Sequence, residues 1–191
     1  MSKNAWAVLA GVIAVGLGSA GCESGPAAPE MKTYVNKVLG FSLSYPGDWT
    51  KSENDPGMVV SVIPPDQTDP NVFRDIVFVW VEALQEPLNL EEYAAVKMAR
   101  GPAKMPDFRE FERVSVTLGG QPARRVMYSA TMGDQHITSM AYFLLSGNHG
   151  YMVVASADSA RFAQRRTAFA EIANSFKLPG AAPAGEPPAG K

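Results

Sequence analysis

Few side chains in this chain have the types and the spacing that catalysis or metal binding requires. The two histidines, His136 and His149, both fall in or next to predicted hairpin turns. Ser-His-Asp catalysis needs a base beside a nucleophile, and no G-x-S-x-G motif is present to position a serine. Across the Gly147 turn the two imidazoles could meet and, with Asp134, form a weak metal site. We favour the alternative that both histidines are turn residues.

Two adjacent carboxylates, Glu91 and Glu92, are the other candidates for acid–base chemistry. Neighbouring helical positions point about 100° apart, so the pair is poorly placed to act on one proton. Glu92 lies three residues after Asn89, as in a capping box, and both carboxylates suit the positive end of a helix dipole. We therefore predict a helix from Asn89 to about Arg100, with the two glutamates in its first turn.

The basic residues are concentrated in a few arginines. Arg124 and Arg125 are adjacent, whereas Arg161, Arg165 and Arg166 lie on consecutive turns of a predicted helix, which can hold them close together. We predict that these last three form a binding surface for an acidic protein patch or for lipid headgroups; the alternative is ordinary solvated surface. With 17 basic and 19 acidic residues the net charge is -2, which argues against a nucleic-acid partner.

Aromatic and sulfur-containing residues offer a weaker indication of a binding site. Tyr128, Tyr142 and Tyr151 fall on neighbouring predicted strands and could line a pocket between sheet and helix, although we favour core packing for them. The nine methionines contain no M-x-x-M cluster and are interpreted as core filler rather than a copper site. We predict no cofactor and no metal.

The single cysteine, Cys22, follows an apolar stretch that begins after Lys3 and is too short to span a bilayer. The sequence Ser19-Ala20-Gly21-Cys22 looks like a bacterial lipobox, with Ser19 where an aliphatic residue is usual. This resemblance implies cleavage before Cys22, a diacylglycerol on its thiol and acylation of its new amino terminus. Together these acyl chains bury enough methylenes for stable anchoring. The alternatives are an uncleaved anchor or a secreted protein with an unpaired thiol.

We predict four segments: a signal peptide at 1–21, a linker at 22–31, one folded domain at 32–178 and a Pro/Ala/Gly tail at 179–191. Glu23 is not the aspartate that holds enterobacterial lipoproteins at the inner membrane. By that resemblance, the outer membrane facing the periplasm is favoured if the organism has one.

The folded segment has the pattern of an antiparallel sheet with helices. Phe41, Leu43 and Tyr45 alternate with serines, and Pro46-Gly47 ends that strand. Residues 75–83 are almost all apolar, which predicts a central strand buried on both faces with Trp80 at the sheet centre. Turns at roughly ten-residue intervals after residue 110 predict a meander and exclude a doubly wound parallel sheet. An apolar stripe predicts a closing helix over 160–176; its members are Phe162, Phe169, Ile172 and Phe176.

The opening stretch Gly40-Phe41-Ser42-Leu43-Ser44-Tyr45-Pro46-Gly47-Asp48-Trp49, the antiparallel sheet and the ending Ser175-Phe176-Lys177 together resemble the PsbP-like family. The α/β/α sandwich of that family also occurs in DcrB-type and LpqN-type bacterial lipoproteins. The resemblance covers residues 32–178 and implies an α+β fold in a single domain, a largely antiparallel sheet flanked by helices. It implies no common catalytic site.

The predicted function is that of a membrane-tethered, non-catalytic envelope lipoprotein that binds or helps to assemble another envelope protein. A small-molecule or lipid carrier is the alternative, and an envelope hydrolase is the weakest candidate. A cavity of several hundred Å³ would favour the carrier. A closed core with an exposed apolar patch would favour the protein binder.

Acylation of Cys22 gives the first testable prediction. In cells labelled with a fatty-acid probe, the wild-type chain is expected to carry the label and to fractionate with membranes. The Cys22→Ala variant should lose the label, because the thiol is the point of attachment. Persistent labelling of the variant, or a wild-type chain found in the soluble fraction, would contradict the lipoprotein hypothesis.

Overall fold

A computed structural model of the protein describes residues 29–53, 55–67 and 73–178. The predicted signal peptide, Cys22, nearly all of the linker and the tail lie outside the described residues. No helix among the described residues has the length and apolar character needed to cross a membrane.

Nine strands and two α-helices make up the described domain. They are β1 (Met31–Asn36), β2 (Phe41–Pro46), β3 (Thr50–Glu53), β4 (Val60–Ile63), β5 (Ile76–Ala83), α1 (Leu90–Arg100), β6 (Arg109–Leu118), β7 (Gln121–Met132), β8 (Gln135–Ser146), β9 (His149–Asp158) and α2 (Phe162–Asn174). A short 3₁₀ helix, Pro102–Lys104, follows α1. The strands β1 and β2 form a separate hairpin, and the other seven form one sheet in the order β3-β4-β5-β9-β8-β7-β6.

Every neighbouring pair of strands is antiparallel, so the predicted meander and α+β class are confirmed. At the β6–β7 turn, Gly119 has a positive φ of 57°. A Cβ at this position would lie 1.9 Å from the carbonyl oxygen of Phe176. Glycine is therefore required here for its backbone conformation and for the close approach of the chain that follows α2.

The two helices cover opposite faces of the seven-stranded sheet. Along β8, Tyr142 and Leu144 pack into the core beneath α2, whereas Ala141 and Phe143 pack into the core beneath α1. This alternation follows from the two-residue period of a strand. The β1–β2 hairpin lies on the α2 side, where it extends the larger core.

All four members of the predicted apolar stripe are buried, but the helix ends at Asn174, so Phe176 lies just beyond it. The ring of Phe176 stacks on that of Phe41 with centroids 5.4 Å apart, and Trp49 meets Phe169 edge-on at 6.3 Å. A backbone bridge joins Ser42 to Lys177. The opening stretch and the closing helix are therefore one packing unit.

Two features differ from the sequence-based expectation. The short strand β3 was not predicted; its residues are polar and it lies at the sheet edge, so it lacks an apolar pattern. In β5, Val77 and Val79 are fully buried on the α2 side, but Phe78 and Trp80 on the α1 side are only half-buried. The prediction that Trp80 is buried at the sheet centre is wrong, because α1 leaves this part of the sheet uncovered.

A fully buried carboxylate joins the beginning of β5 to α2. Asp75 is 0 % exposed, and its two oxygens accept hydrogen bonds of 2.9 Å each from Arg161 Nη2 and Arg165 Nε. Arg165 also bonds Asp66, and this contact holds the pKa of the Asp66 carboxyl below its ordinary value. Two of the three arginines expected on a free binding surface thus have partners inside the domain; Arg166 is exposed.

The pairing with Asp75 predicts a loss of stability when both arginines are neutralised. The double variant Arg161→Gln/Arg165→Gln should reduce the free energy of unfolding by about 3–5 kcal/mol, because it leaves a buried carboxylate uncompensated. The matched control Arg166→Gln should stay within about 0.5 kcal/mol of wild type. Chemical denaturation followed by circular dichroism measures all three. Equal stability of the double variant and the control would show that Asp75 needs neither partner.

Candidate functional site

The two histidines do not meet. His136 is the second residue of β8, where its Nδ1 lies 3.0 Å from Thr131 Oγ1, and His149 begins β9 opposite Ser146. Ser146 follows His136 by ten positions, a distance of roughly 33 Å along a strand. The hypothesis of a metal site with Asp134 is therefore wrong, and no cluster of three His, Cys, Asp or Glu side chains suited to a metal occurs among the described residues.

The paired glutamates have the capping role that the sequence indicates. The Asn89 side chain accepts a bond from the Glu92 amide at 3.0 Å, and the Glu92 carboxylate accepts one from the Asn89 amide at 2.9 Å. Glu91 forms ion pairs with Arg124 at 2.7 Å and with Arg113 at 3.3 Å. Both carboxylates therefore have structural partners at the beginning of α1 or next to it.

The three candidate tyrosines do not share a pocket. Tyr128 lies in the core beneath α1, whereas Tyr142 and Tyr151 lie in the core beneath α2. The tyrosines lie on adjacent strands but point to different faces of the sheet. The sequence alone does not give the register of the strands, so it could not predict which face each tyrosine takes. Arg125 bonds Glu112 at 2.8 Å, so this arginine also has an internal partner.

An apolar cleft of about 300 Å³ opens between the sheet and the C-terminal end of α1. Its floor consists of strand residues on the α1 side of the sheet, among them Phe78, Ala141, Phe143 and Val154. Tyr128 is the one predicted tyrosine that lines it. The floor and walls provide dispersion contacts and very few polar groups, a composition typical of sites for small apolar ligands.

The cleft exists because α1 is short compared with the strands that it covers. The eleven residues of α1 extend about 16 Å, whereas the twelve of β7 extend about 40 Å. Gly101 then ends the helix, and the 3₁₀ turn Pro102–Lys104 follows it. Part of the sheet face is left without a helix above it.

Trp80 forms one wall of the cleft and is held from two sides. Gly57 has a φ of +77°, and a Cβ there would lie 2.6 Å from the indole ring. Lys97 lies across the other side, with its Nζ 5.2 Å from the ring centroid and 2.9 Å from Glu82 Oε1. The cation–π contact and the ion pair fix both the indole and the lysine at the rim.

Four of the nine methionines line this cleft, namely Met58, Met98, Met105 and Met152. Unbranched thioether side chains adapt to ligands of irregular shape. From the sequence we interpreted the methionines as core filler, because they are far apart along the chain. They come from β9, α1 and two connecting segments, so only the three-dimensional fold brings them together.

A smaller and more polar recess of about 170 Å³ adjoins the cleft and shares Lys97 with it. Glu82 and Arg100 also line this recess. The Tyr93 hydroxyl beside Glu82 is buried without a well-formed hydrogen bond among the described residues. Burial raises the pKa of Tyr93, and the neighbouring Glu82 carboxylate raises it further. An apolar site thus borders a small group of polar side chains.

Comparison with solved structures shows the same fold in proteins of low sequence identity. Cyanobacterial PsbP (CyanoP) from Synechocystis sp. PCC 6803 is 18% identical, with a TM-score of 0.57 over 85% of this chain and 98% of that one. LpqN of Mycobacterium tuberculosis, described as involved in cell envelope biogenesis, is 16% identical, with a TM-score of 0.59 over 78% and 90% of the two chains. A Pseudomonas aeruginosa protein of unknown function is 13% identical, with a TM-score of 0.51 over 73% and 91%.

No match was found among curated proteins. The family model described as "PsbP-like protein" matches residues 23–178, which include the whole described domain. The opening stretch and the ending Ser175-Phe176-Lys177 carry the resemblance in the sequence, and in the structure they pack against each other. The chain belongs to the PsbP-like protein family.

Proposed function

We propose that this protein is a membrane-tethered envelope lipoprotein whose cleft binds a small apolar or amphipathic molecule without chemical conversion. The observation that carries the proposal is the cleft of about 300 Å³ bounded by Trp80. Its volume lies at the lower end of the range for small-molecule sites, which is about 300–1,000 Å³. A carrier function accounts for this feature better than a closed protein-binding surface does.

The composition of the site favours a molecule with a flexible apolar part. The methionines can adjust to an alkyl or ring system, and Trp80 provides a flat face against which it can pack. The adjoining recess with Lys97 and Tyr93 supplies polar groups for a headgroup at one end. Burial of each methylene contributes about 0.8 kcal/mol, so a short chain suffices for measurable affinity.

Binding without catalysis is supported by the positions of the reactive side chains. The histidines lie at opposite ends of β8, and Glu91 and Glu92 are committed to ion pairs and helix capping. None of these groups lines the cleft. Among the described residues that line the cleft, no base lies beside a nucleophile, as hydrolysis requires.

The membrane tether rests on Cys22 and the lipobox-like sequence before it. The fold that this chain shares with LpqN, a protein described as involved in cell envelope biogenesis, is consistent with an envelope location. The protein-binding or assembly role stays a prediction. Of the three arginines predicted to form a protein-binding surface, Arg161 and Arg165 bond Asp75, so Arg166 is the member left for an external partner.

Binding of a neutral fluorescent probe tests the cleft. N-phenyl-1-naphthylamine is expected to bind saturably at one site per chain, with enhanced fluorescence. Met105→Trp should weaken this affinity by about tenfold, roughly 1.4 kcal/mol, because the larger ring occupies the cleft. Met132→Trp is the matched control at a position 42% exposed and outside the cleft, and its affinity should stay within about twofold of wild type. Equal loss in both variants, or no saturable binding, would refute the proposed site.

The contact between Gly57 and Trp80 provides a second test of the same wall. Gly57→Ala places a methyl group against the indole and should displace it, lowering probe affinity. Gly133→Ala is the control, because Gly133 also has a positive φ, 62°, but nothing lies within 4 Å of its Cβ position. Both variants should lose on the order of 1 kcal/mol of stability from backbone strain. Probe titration and thermal unfolding separate the two effects, and unchanged affinity in Gly57→Ala would exclude Trp80 from the site.

A further inference from the structure

The turn of the β1–β2 hairpin presents an apolar side chain to solvent. Val38 is 94 % exposed, the highest value among the exposed large hydrophobic residues, and Val35 before it is 56 % exposed. Single exposed valines are common on protein surfaces. The surroundings of Val38, however, indicate a specific role.

The backbone on both sides of Val38 is fixed. The Asn36 side-chain oxygen accepts bonds from the amides of Val38 at 3.1 Å and Leu39 at 2.9 Å. On the other side, the Tyr151 hydroxyl donates to the Leu39 carbonyl oxygen at 3.0 Å. The hairpin tip is thus attached to the sheet, and Val38 cannot fold back into the core without breaking these bonds.

Basic side chains flank this exposed apolar tip. A shallow, mainly apolar depression of about 240 Å³ lies beside the turn, where Val35 and Leu178 contribute to its walls. Lys37 and Lys177 line the same depression, and both are exposed. An apolar tip beside a depression that two lysines line is complementary to a bilayer surface that carries anionic headgroups.

The tip lies within reach of the predicted lipid. Eight residues lie between Cys22 and Met31, and the nine chain steps that join them span at most about 30 Å. The strand β1 extends about 17–20 Å from Met31 to the turn. The tether is therefore long enough for the hairpin tip to rest on the bilayer in which Cys22 is anchored.

We propose that the β1–β2 hairpin tip is a membrane-contact surface. Val38 inserts at the boundary between headgroups and acyl chains, and Lys37 and Lys177 contact anionic headgroups. This inference rests on the proposed lipid tether, and it adds a defined orientation of the domain on the membrane. Its occupant is the lipid bilayer rather than a protein.

The experiment uses the full, acylated chain in vesicles of phosphatidylcholine with phosphatidylglycerol. Acylation consumes the thiol of Cys22, the natural cysteine of the chain, so Val38→Cys introduces a unique site for an environment-sensitive fluorophore. Met132→Cys is the control, because Met132 is exposed and ends β7 far from the hairpin tip. Flotation of the vesicles first establishes that each labelled protein is bound.

We expect the label at position 38 to emit at shorter wavelength and to be quenched by spin-labelled lipid at least threefold more than the label at 132. Iodide in the aqueous phase should give the opposite order. Adding Lys37→Glu and Lys177→Glu to Val38→Cys should reduce lipid quenching in anionic vesicles and change it little in vesicles of phosphatidylcholine alone. An equal reduction of lipid quenching in both vesicle types would exclude contact between the lysines and anionic headgroups.

Equal quenching at positions 38 and 132 on floating vesicles would overturn the membrane-contact surface and leave the tether intact. Failure to float would overturn the tether and this inference with it. Shielding of position 38 that requires an added envelope protein would assign the surface to a protein partner instead. Probe binding in the cleft is unaffected by any of these outcomes, because the cleft contains none of the altered residues.

Discussion

A sheet that is buried on both faces requires its central strands to pack two different cores with alternate residues. In β9, Val153 belongs to the core beneath α2 and Val154 to the core beneath α1. A shift of one residue in register would exchange the two sets, so the register is strongly specified. The α2 side is closed by a helix and the β1–β2 hairpin together, whereas the α1 side has a single short helix. The candidate binding cleft results because the α1 side of the sheet is covered less completely than the α2 side.

The contacts of Asp75 show how a buried charge can determine the role of surface arginines. A carboxylate without solvent requires compensating donors; Arg161, just before α2, and Arg165, in its first turn, provide them. These bonds fix the beginning of β5 relative to α2, since Arg161 also donates to the Phe73 carbonyl at 3.2 Å. Arginines on consecutive turns of a helix therefore need not form a surface for an external partner.

Local patterns in the sequence were sufficient for much of the fold. The capping box at Asn89 predicted where α1 begins, the glycine turns predicted the meander, and the apolar stripe predicted α2. Each of these patterns depends on residues that are close in the chain. The cleft depends on non-local geometry. Trp80 looked like a core residue because its strand is apolar, and its partial exposure follows from where α1 ends. The methionines of the cleft likewise had no common pattern before the chain was folded.

The two proposed surfaces lie on opposite faces of the sheet. The amide of Leu84, which follows β5 and precedes α1, bonds the Asn148 carbonyl, so α1 begins near the β8–β9 turn and the hairpin tip held by Tyr151. The cleft opens beside the other end of α1, over residues of β5, β8 and β9 that face the core beneath this helix. The hairpin packs on the α2 side. Successive residues of a strand point to opposite faces, so Met152 lines the cleft while its neighbour Tyr151 holds the hairpin tip. With the hairpin tip on the bilayer, the cleft would therefore open on the sheet face that does not carry the membrane-contact surface.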